Sequence, residues 1–312
     1  MTERLPYTSA GIAAAVAILS QGGRVAFPTE TVYGLGADAR NDTAVAGIYA
    51  AKGRPAFNPL IVHVPDVATA RRYVVFDDVA EQLAQAFWPG ALTLVLPLRA
   101  DAGVSKLVTA GLETLAVRVP DHPLAQDLLR AFDGPVAAPS ANPSGRVSPT
   151  SADHVLDGLS GRIEAVIDGG ACAVGLESTI VSCVGVPAML RAGGVPLEAL
   201  ERCLARPLAQ PADPATPQSP GQLASHYAPQ GAVRLNVQIP TSDETLLGFG
   251  AVDAPVNLSP AGDLIEAAAN LFACLHQLDA MGARHIAVSP IPETGLGRAI
   301  NDRLRRAAAP RD

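Results

Sequence analysis

Apolar positions along this chain repeat with two periods. From Val25 to about Cys203, short apolar runs alternate with segments whose apolar residues recur every three or four positions, the pattern of strands exchanging with helices. Residues 92–96, Leu-Thr-Leu-Val-Leu, read as a largely buried strand. Residues 115–119 alternate with period two, so Arg118 points to the face opposite Leu115, Val117 and Val119. Further strands are predicted from Val25, over 60–64, 136–138, 165–167, 178–181 and 188–191, and helices over 43–51, 79–86, 123–132 and 151–159. Ahead of them, residues 10–19 predict an amphipathic first helix with Ile12, Val16 and Leu19 on one face, Ser9 as its cap and Gly22 at its end. Polar loops sit directly at the strand ends. The fold class is α/β: a twisted mixed sheet with flanking helices.

The pattern stops after Ala205. Pro207, Pro211, Pro214, Pro217, Pro220 and Pro229 break any regular element, so 206–230 reads as an extended, semi-rigid linker. It ends in Ser219–Pro229, which carries His226 and Tyr227. After Gly231, strands over 233–237, 246–249 and 285–289 surround a helix over 261–281, with a last helix over 297–308. This alternation predicts a small Rossmann-like α/β domain. The chain therefore divides into a large α/β domain over 1–205, a linker or lid over 206–230 and a small α/β domain over 231–312. Gly295-Leu296-Gly297 reads as turn glycines, since a lone G-x-G is a weak phosphate signal.

Composition removes several functions. The 312 residues, 48% hydrophobic and 17% charged, are enough for a sizeable core. A net charge of -7 disfavours nucleic-acid binding through the overall field, leaving only a local patch, and 4% aromatic residues give few stacking platforms. The four cysteines form no C-x-x-C pair and read as buried residues of a reducing, cytoplasmic protein. The apolar run at 10–19 lacks the flanks of a signal peptide, and no run is long enough to span a bilayer. There is no P-loop, H-E-x-x-H or G-x-S-x-G motif, nor a clear carboxylate cluster for a tightly held metal.

The chemistry gathers at strand ends. Phe27–Gly36 runs from an apolar strand into hydroxyls, a carboxylate and two glycines; Lys52 and Arg54 then flank Gly53 before the strand that carries His63. Taken alone, Lys52 and Arg54 could be a solvated helix end and His63 a satisfied core histidine. Arg118 inside an apolar strand needs an anion, either a ligand or a buried carboxylate such as Glu113 or Glu177. Pro139–Gly145 makes a rigid polar loop with Ser140 and Asn142, and Gly175–Ile180 and Leu190–Gly193 repeat the junction of glycine, polar side chain and strand. Cations and hydroxyls at strand ends suit a phosphate-bearing substrate.

These segments carry a resemblance. FPTETVYGLG (27–36), KGRPAFNPLIVHV (52–64), WPGALTLVL (88–96), VRVPDHP (117–123), APSANPSG (138–145), LESTIV (176–181), LRAGG (190–194) and SPGQLASHYAP (219–229) resemble the threonylcarbamoyl-AMP synthases of the TsaC/YrdC family, in particular the two-domain members with a C-terminal extension. The resemblance implies a cytoplasmic nucleotidyltransferase. It would condense L-threonine, bicarbonate and ATP into threonylcarbamoyl-AMP and pyrophosphate, for modification of the adenosine beside the tRNA anticodon. It implies an L-threonine site at Thr31, His63, Arg118, the Ala138 backbone and Ser178. It implies an ATP site at Arg54, Asn58, Thr114, Ser140, Ser148, Arg191 and Tyr227, with Lys52 and Asn142 close by. Lys52 and Arg54 would neutralise the triphosphate and the departing pyrophosphate, and Mg²⁺ would arrive with ATP without dedicated protein ligands. A downstream tRNA-modifying transferase complex would take the product; direct tRNA binding is left open. In the linker, Gln222-Leu223-Ala224-Ser225 departs from the aromatic and basic residues usual there. Two other readings compete: a non-catalytic RNA-binding module of the same fold, and a transferase that uses carbamoyl-AMP.

Overall fold

The computed structural model describes residues 1–55, 57–209 and 226–310. Ten strands form one mixed sheet. They are β1 (Glu3–Pro6), β2 (Val25–Pro28), β3 (Tyr33–Asp38), β4 (Ile61–His63), β5 (Leu92–Pro97), β6 (Thr114–Arg118), β7 (Val136–Ala137), β8 (Ala165–Asp168), β9 (Thr179–Ser182) and β10 (Ala188–Arg191). Their spatial order is β1-β8-β2-β3-β7-β4-β6-β5-β9-β10. A second, all-parallel sheet has β11 (Ala232–Arg234), β12 (Thr245–Gly248), β13 (Val256–Asn257) and β14 (His285–Val288) in the order β11-β14-β12-β13. The mixed α/β expectation and the second parallel unit are both observed.

Most predicted elements form, with ends moved by one to three residues. Differences have local causes. The first helix, Ser9–Ser20, is capped by Thr8 rather than Ser9, because the Thr8 side chain accepts the Gly11 N–H. β1 was not expected: three of its four residues are exposed, so no buried face announces it, yet it pairs in parallel with β8. β3, Tyr-Gly-Leu-Gly-Ala-Asp, hides its strand character behind two glycines.

The fold places the cations deliberately. Asn41 accepts the Thr43 and Ala44 N–H groups and starts the helix Asp42–Lys52; Gly53, at φ 61°, ends it in the left-handed region. Lys52 is thus fixed at a helix end and Arg54 starts the chain back toward β4. β4 and β6 pair in parallel with His63 beside Arg118. The small period-two set on β6 behaves as predicted: Leu115, Val117 and Val119 join the main apolar cluster, while Ala116 packs on the other face with Ile61, Val95, Ile180 and Leu190. Thr114 shares that second face with Arg118, roughly 13 Å along the strand at 3.3 Å per residue.

The second sheet's core is continuous with the first unit. Val32, Val147, Leu176 and Tyr227 pack with Leu271, Phe272, Leu275, Ile300 and Leu304. The approach is tightest at Gly175 (φ +71°), where an added Cβ would lie 2.4 Å from the Ala269 carbonyl oxygen in the helix Leu264–Ala280. Gly175→Ala therefore introduces both backbone strain and a main-chain clash. We expect it to lower unfolding free energy by about 2–4 kcal/mol in denaturant titration; an unchanged midpoint would show that the two units separate there without cost.

Candidate functional site

The site is built where β2, β4 and β6 end, where β9 begins and where the loops after β7 and β10 return. Thr29, Thr31, Arg54, His63, Arg118, Ala138, Ser140, Glu177, Ser178, Arg191, His226 and Tyr227 are among the residues that line a cavity of about 50 Å³. That is room for a few waters and not for a nucleotide.

At one end Arg118 is almost fully buried. Its Nη2 donates to Glu30 Oε1 at 2.6 Å, Nη1 to Thr31 Oγ1 at 2.8 Å and Nε to the Gly90 carbonyl at 3.2 Å. Glu30 is thus the protein partner of Arg118, in place of Glu113 or Glu177. Glu113 is exposed, and Glu177 is held elsewhere. Three of five guanidinium N–H groups are used, which leaves one on each Nη for a ligand carboxylate. Beside it, burial and then the Arg118 charge push the His63 ring down to about 3. A ring held neutral in this way can orient a ligand by hydrogen bonding.

At the other end Arg191 donates to the Ser178 carbonyl and, at 3.2 Å, to Ser178 Oγ; Ser178 Oγ also meets Thr93 Oγ1 at 2.7 Å. Arg54 donates to the Asn58 and Pro59 carbonyls. Burial lowers the affinity of both guanidinium groups for their protons, bringing Arg54 to about 10. Such desolvated cations favour an anion placed between them. Lys52 does not line the cavity. Its Nζ donates to the Ser140 and Asn142 carbonyls and ties down the polar loop after β7. Burial, then the Arg54 charge, lower it well below the ordinary lysine range.

The expected residues thus separate into two groups. Thr31, Arg54, His63, Arg118, Ala138, Ser140, Ser178, Arg191 and Tyr227 meet at the cavity. Lys52, Asn58, Thr114, Asn142 and Ser148 stand outside its lining, although Ser148 reaches it through a 2.6 Å bond to Glu177. The buried Oδ1 atoms of Asn58 and Asn142 have no partner among the described residues. Glu30 and Glu177 were missed as site residues. The signal was present, since each is a carboxylate next to a hydroxyl at the edge of an apolar strand; their arginine partners are far away in sequence.

Tyr227 is buried although its backbone is left-handed, at φ 61°. Its ring stacks on Phe272 at 5.6 Å and lies beneath the Arg303 guanidinium at 5.0 Å. His226 packs on the same ring at 4.0 Å. The contacts expected of residues 219–225 lie outside the described residues. Among the described residues no group of three His, Cys, Asp or Glu side chains could hold a metal ion, and no helix is long and apolar enough to cross a membrane.

Residues 17–193 match the Sua5/YciO/YrdC family model, described as "Telomere recombination", and residues 195–309 match the "Threonylcarbamoyl-AMP synthase, C-terminal domain". The chain belongs to this family, in its two-domain form. Among its relatives is a protein named threonylcarbamoyl-AMP synthase from Bacillus subtilis, 41% identical over 100% of this chain and 96% of that protein. Another of that name, from Pyrococcus abyssi, is 40% identical over 94% of this chain and 93% of its own length. The crystal structure of P. abyssi Sua5 complexed with L-threonine superposes with a TM-score of 0.90 at 37% identity, covering 99% of this chain and 97% of that one. E. coli YciO shares the fold alone, at 24% identity, a TM-score of 0.57 and 62% of this chain.

The buried histidines make stability depend on pH. His63 and His226 have folded values of about 3 against an ordinary 6.5, so between these limits the unfolded chain binds more protons. Their contribution is complete above pH 6.5 and is lost as pH falls toward 3, with a slope of about 1.4 kcal/mol per pH unit for each ring. His63→Asn should reduce the slope of unfolding free energy between pH 6 and 4 by about one proton. Equal slopes would mean that His63 titrates freely in the folded protein.

Proposed function

We propose that this chain makes L-threonylcarbamoyladenylate and pyrophosphate from L-threonine, bicarbonate and ATP. The observation that carries the reading is two sets of contacts, Glu30–Arg118–Thr31 at one end of the cavity and Ser178–Arg191 at the other. They place one arginine suited to a carboxylate and one suited to a phosphate at strand ends that face one cavity. Family membership and the shared name of the full-length relatives support it.

Arg118 and Thr31 take the threonine carboxylate, and Ser178 and the Ala138 backbone orient its polar ends. The neutral threonine amine combines with bicarbonate, releasing water, or with carbon dioxide, releasing a proton, to give a carbamate. Its oxygen attacks the α-phosphorus in line, and pyrophosphate leaves toward Arg54 and Arg191. The protein contributes mainly position and charge, fixed before the substrates arrive. Lys52 acts by holding the Ser140 loop. The face that carries Ala116 and leads to Thr114 receives the adenosine. Glu30 and Glu177, the carboxylates nearest the reaction, are each committed to an arginine. Among the described residues no three His, Cys, Asp or Glu side chains come together, and Mg²⁺ would arrive carried by the phosphates of ATP.

His226 and Tyr227 line the cavity, and they act as a lid that excludes water from the mixed anhydride. We place the reaction in the cytosol, in keeping with four unpaired cysteines, and its product with a downstream tRNA-modifying transferase complex.

Pyrophosphate release from ATP should require both L-threonine and bicarbonate, with threonylcarbamoyl-AMP identified by mass. Release without either one, or none at all, would reject the reading. Arg118→Lys keeps the charge and loses the planar fork; it should raise the threonine KM by roughly tenfold or more while the ATP KM moves less. Equal changes in both constants would place Arg118 outside the threonine site.

A further inference from the structure

Thr93 puts a hydroxyl inside the apolar strand β5, and it is completely buried. Leu92, Leu94 and Leu96 join the main apolar cluster, so Thr93 points with Val95 to the opposite face, where Val95 packs with Ile61, Ala116 and Ile180. That is the face of the sheet that carries Arg118. Thr93 itself does not line the cavity. Its Oγ1 meets one polar atom among the described residues, the Oγ of Ser178 at 2.7 Å.

The Thr93 hydroxyl is the donor in that contact. Were Ser178 the donor, the Thr93 hydrogen would lie in the interior of the sheet with no acceptor among the described residues, at the desolvation cost of a buried donor left unmade. Ser178 Oγ also accepts from Arg191 Nη2 at 3.2 Å. A hydroxyl oxygen has two acceptor positions, and both are then filled. The Ser178 hydrogen is left to point at the cavity that Ser178 lines, where no atom of the described residues accepts it. Two donors on one oxygen, one of them a guanidinium, also strengthen its own O–H as a donor.

We infer that Thr93 is a positioning residue for the amino-acid substrate: it fixes the Ser178 hydroxyl as a donor, so that Ser178 meets an oxygen of bound L-threonine and not its ammonium group. The inference rests on the reading of this cavity as an L-threonine site. It gives the one hydroxyl of the segment over 88–96 a task that neither the strand pattern nor the cavity lining shows.

The test is a double-variant cycle in the full-length chain, with the KM for L-threonine and for ATP measured by pyrophosphate release. Thr93→Val keeps the shape and removes the donor. It should raise the threonine KM by roughly fivefold and move the ATP KM by less than about twofold, because Arg191 also rests on the Ser178 carbonyl. Thr93→Ser keeps the hydroxyl and should bring the threonine KM back to within about twofold of wild type. In a Ser178→Ala chain, Thr93→Val should change the threonine KM by less than about twofold, since no hydroxyl is left to orient. An unchanged threonine KM in Thr93→Val, a Thr93→Ser chain as poor as Thr93→Val, or an equal Thr93→Val loss in the Ser178→Ala chain would each overturn the inference. If Thr93→Val does not fold, Thr93→Ala takes its place with the same outcomes. Should the wild-type chain make no threonylcarbamoyl-AMP, the functional reading fails, and calorimetric titration with L-threonine decides the role of Thr93 in the same comparisons.

Discussion

Buried cations held by main-chain carbonyls are the constraint on which the rest of this structure depends. Lys52 rests on the Ser140 and Asn142 carbonyls, Arg54 on those of Asn58 and Pro59, Arg118 on Gly90 and Arg191 on Ser178. Each of these carbonyls gives a lone pair to a cation, and they lie in the polar loops at or near the strand ends. The loops satisfy the cations without cancelling their charge, and an incoming anion supplies what the carbonyls do not.

Full neutralisation occurs only behind the cavity or at its edge. Glu30 fixes Arg118 through one oxygen, while its other oxygen is buried without a partner among the described residues. Glu177 is held by a side chain from the second unit. Neither pair is an economical source of stability, since two desolvated charges gain little over a well-packed apolar pair. What they give is geometry, because each locks a guanidinium plane or a wall of the cavity in one orientation. The continuity of the apolar core across Leu176, Tyr227 and Phe272 gives this geometry a rigid support.

Much of this was legible in the sequence, for reasons that can be named. The strand bearing Arg118 showed its two faces through period-two alternation, and the junctions at His63, Ser140, Ser178 and Arg191 showed themselves as polar residues where apolar strands end. Pairing across distance was not legible. Glu30 and Arg118 are joined by sheet order, which no local pattern encodes, and Arg303 read as one more basic residue on an amphipathic helix. Lys52 carries the opposite lesson. Its place in a cationic motif suggested a phosphate ligand, whereas the helix C-cap at Gly53 turns its amine onto the backbone of a neighbouring loop. The edge strand β1 and the glycine-interrupted β3 escaped because pairing, not composition, makes them strands.

The left-handed backbone of Tyr227 depends on contacts from elsewhere. A non-glycine residue in that region stores about 1–3 kcal/mol. Stacking on Phe272 and the overlying Arg303 return an amount of the same order. The strained backbone is thus held by contacts to the second unit, and the ring keeps this place only while that unit stays packed against it.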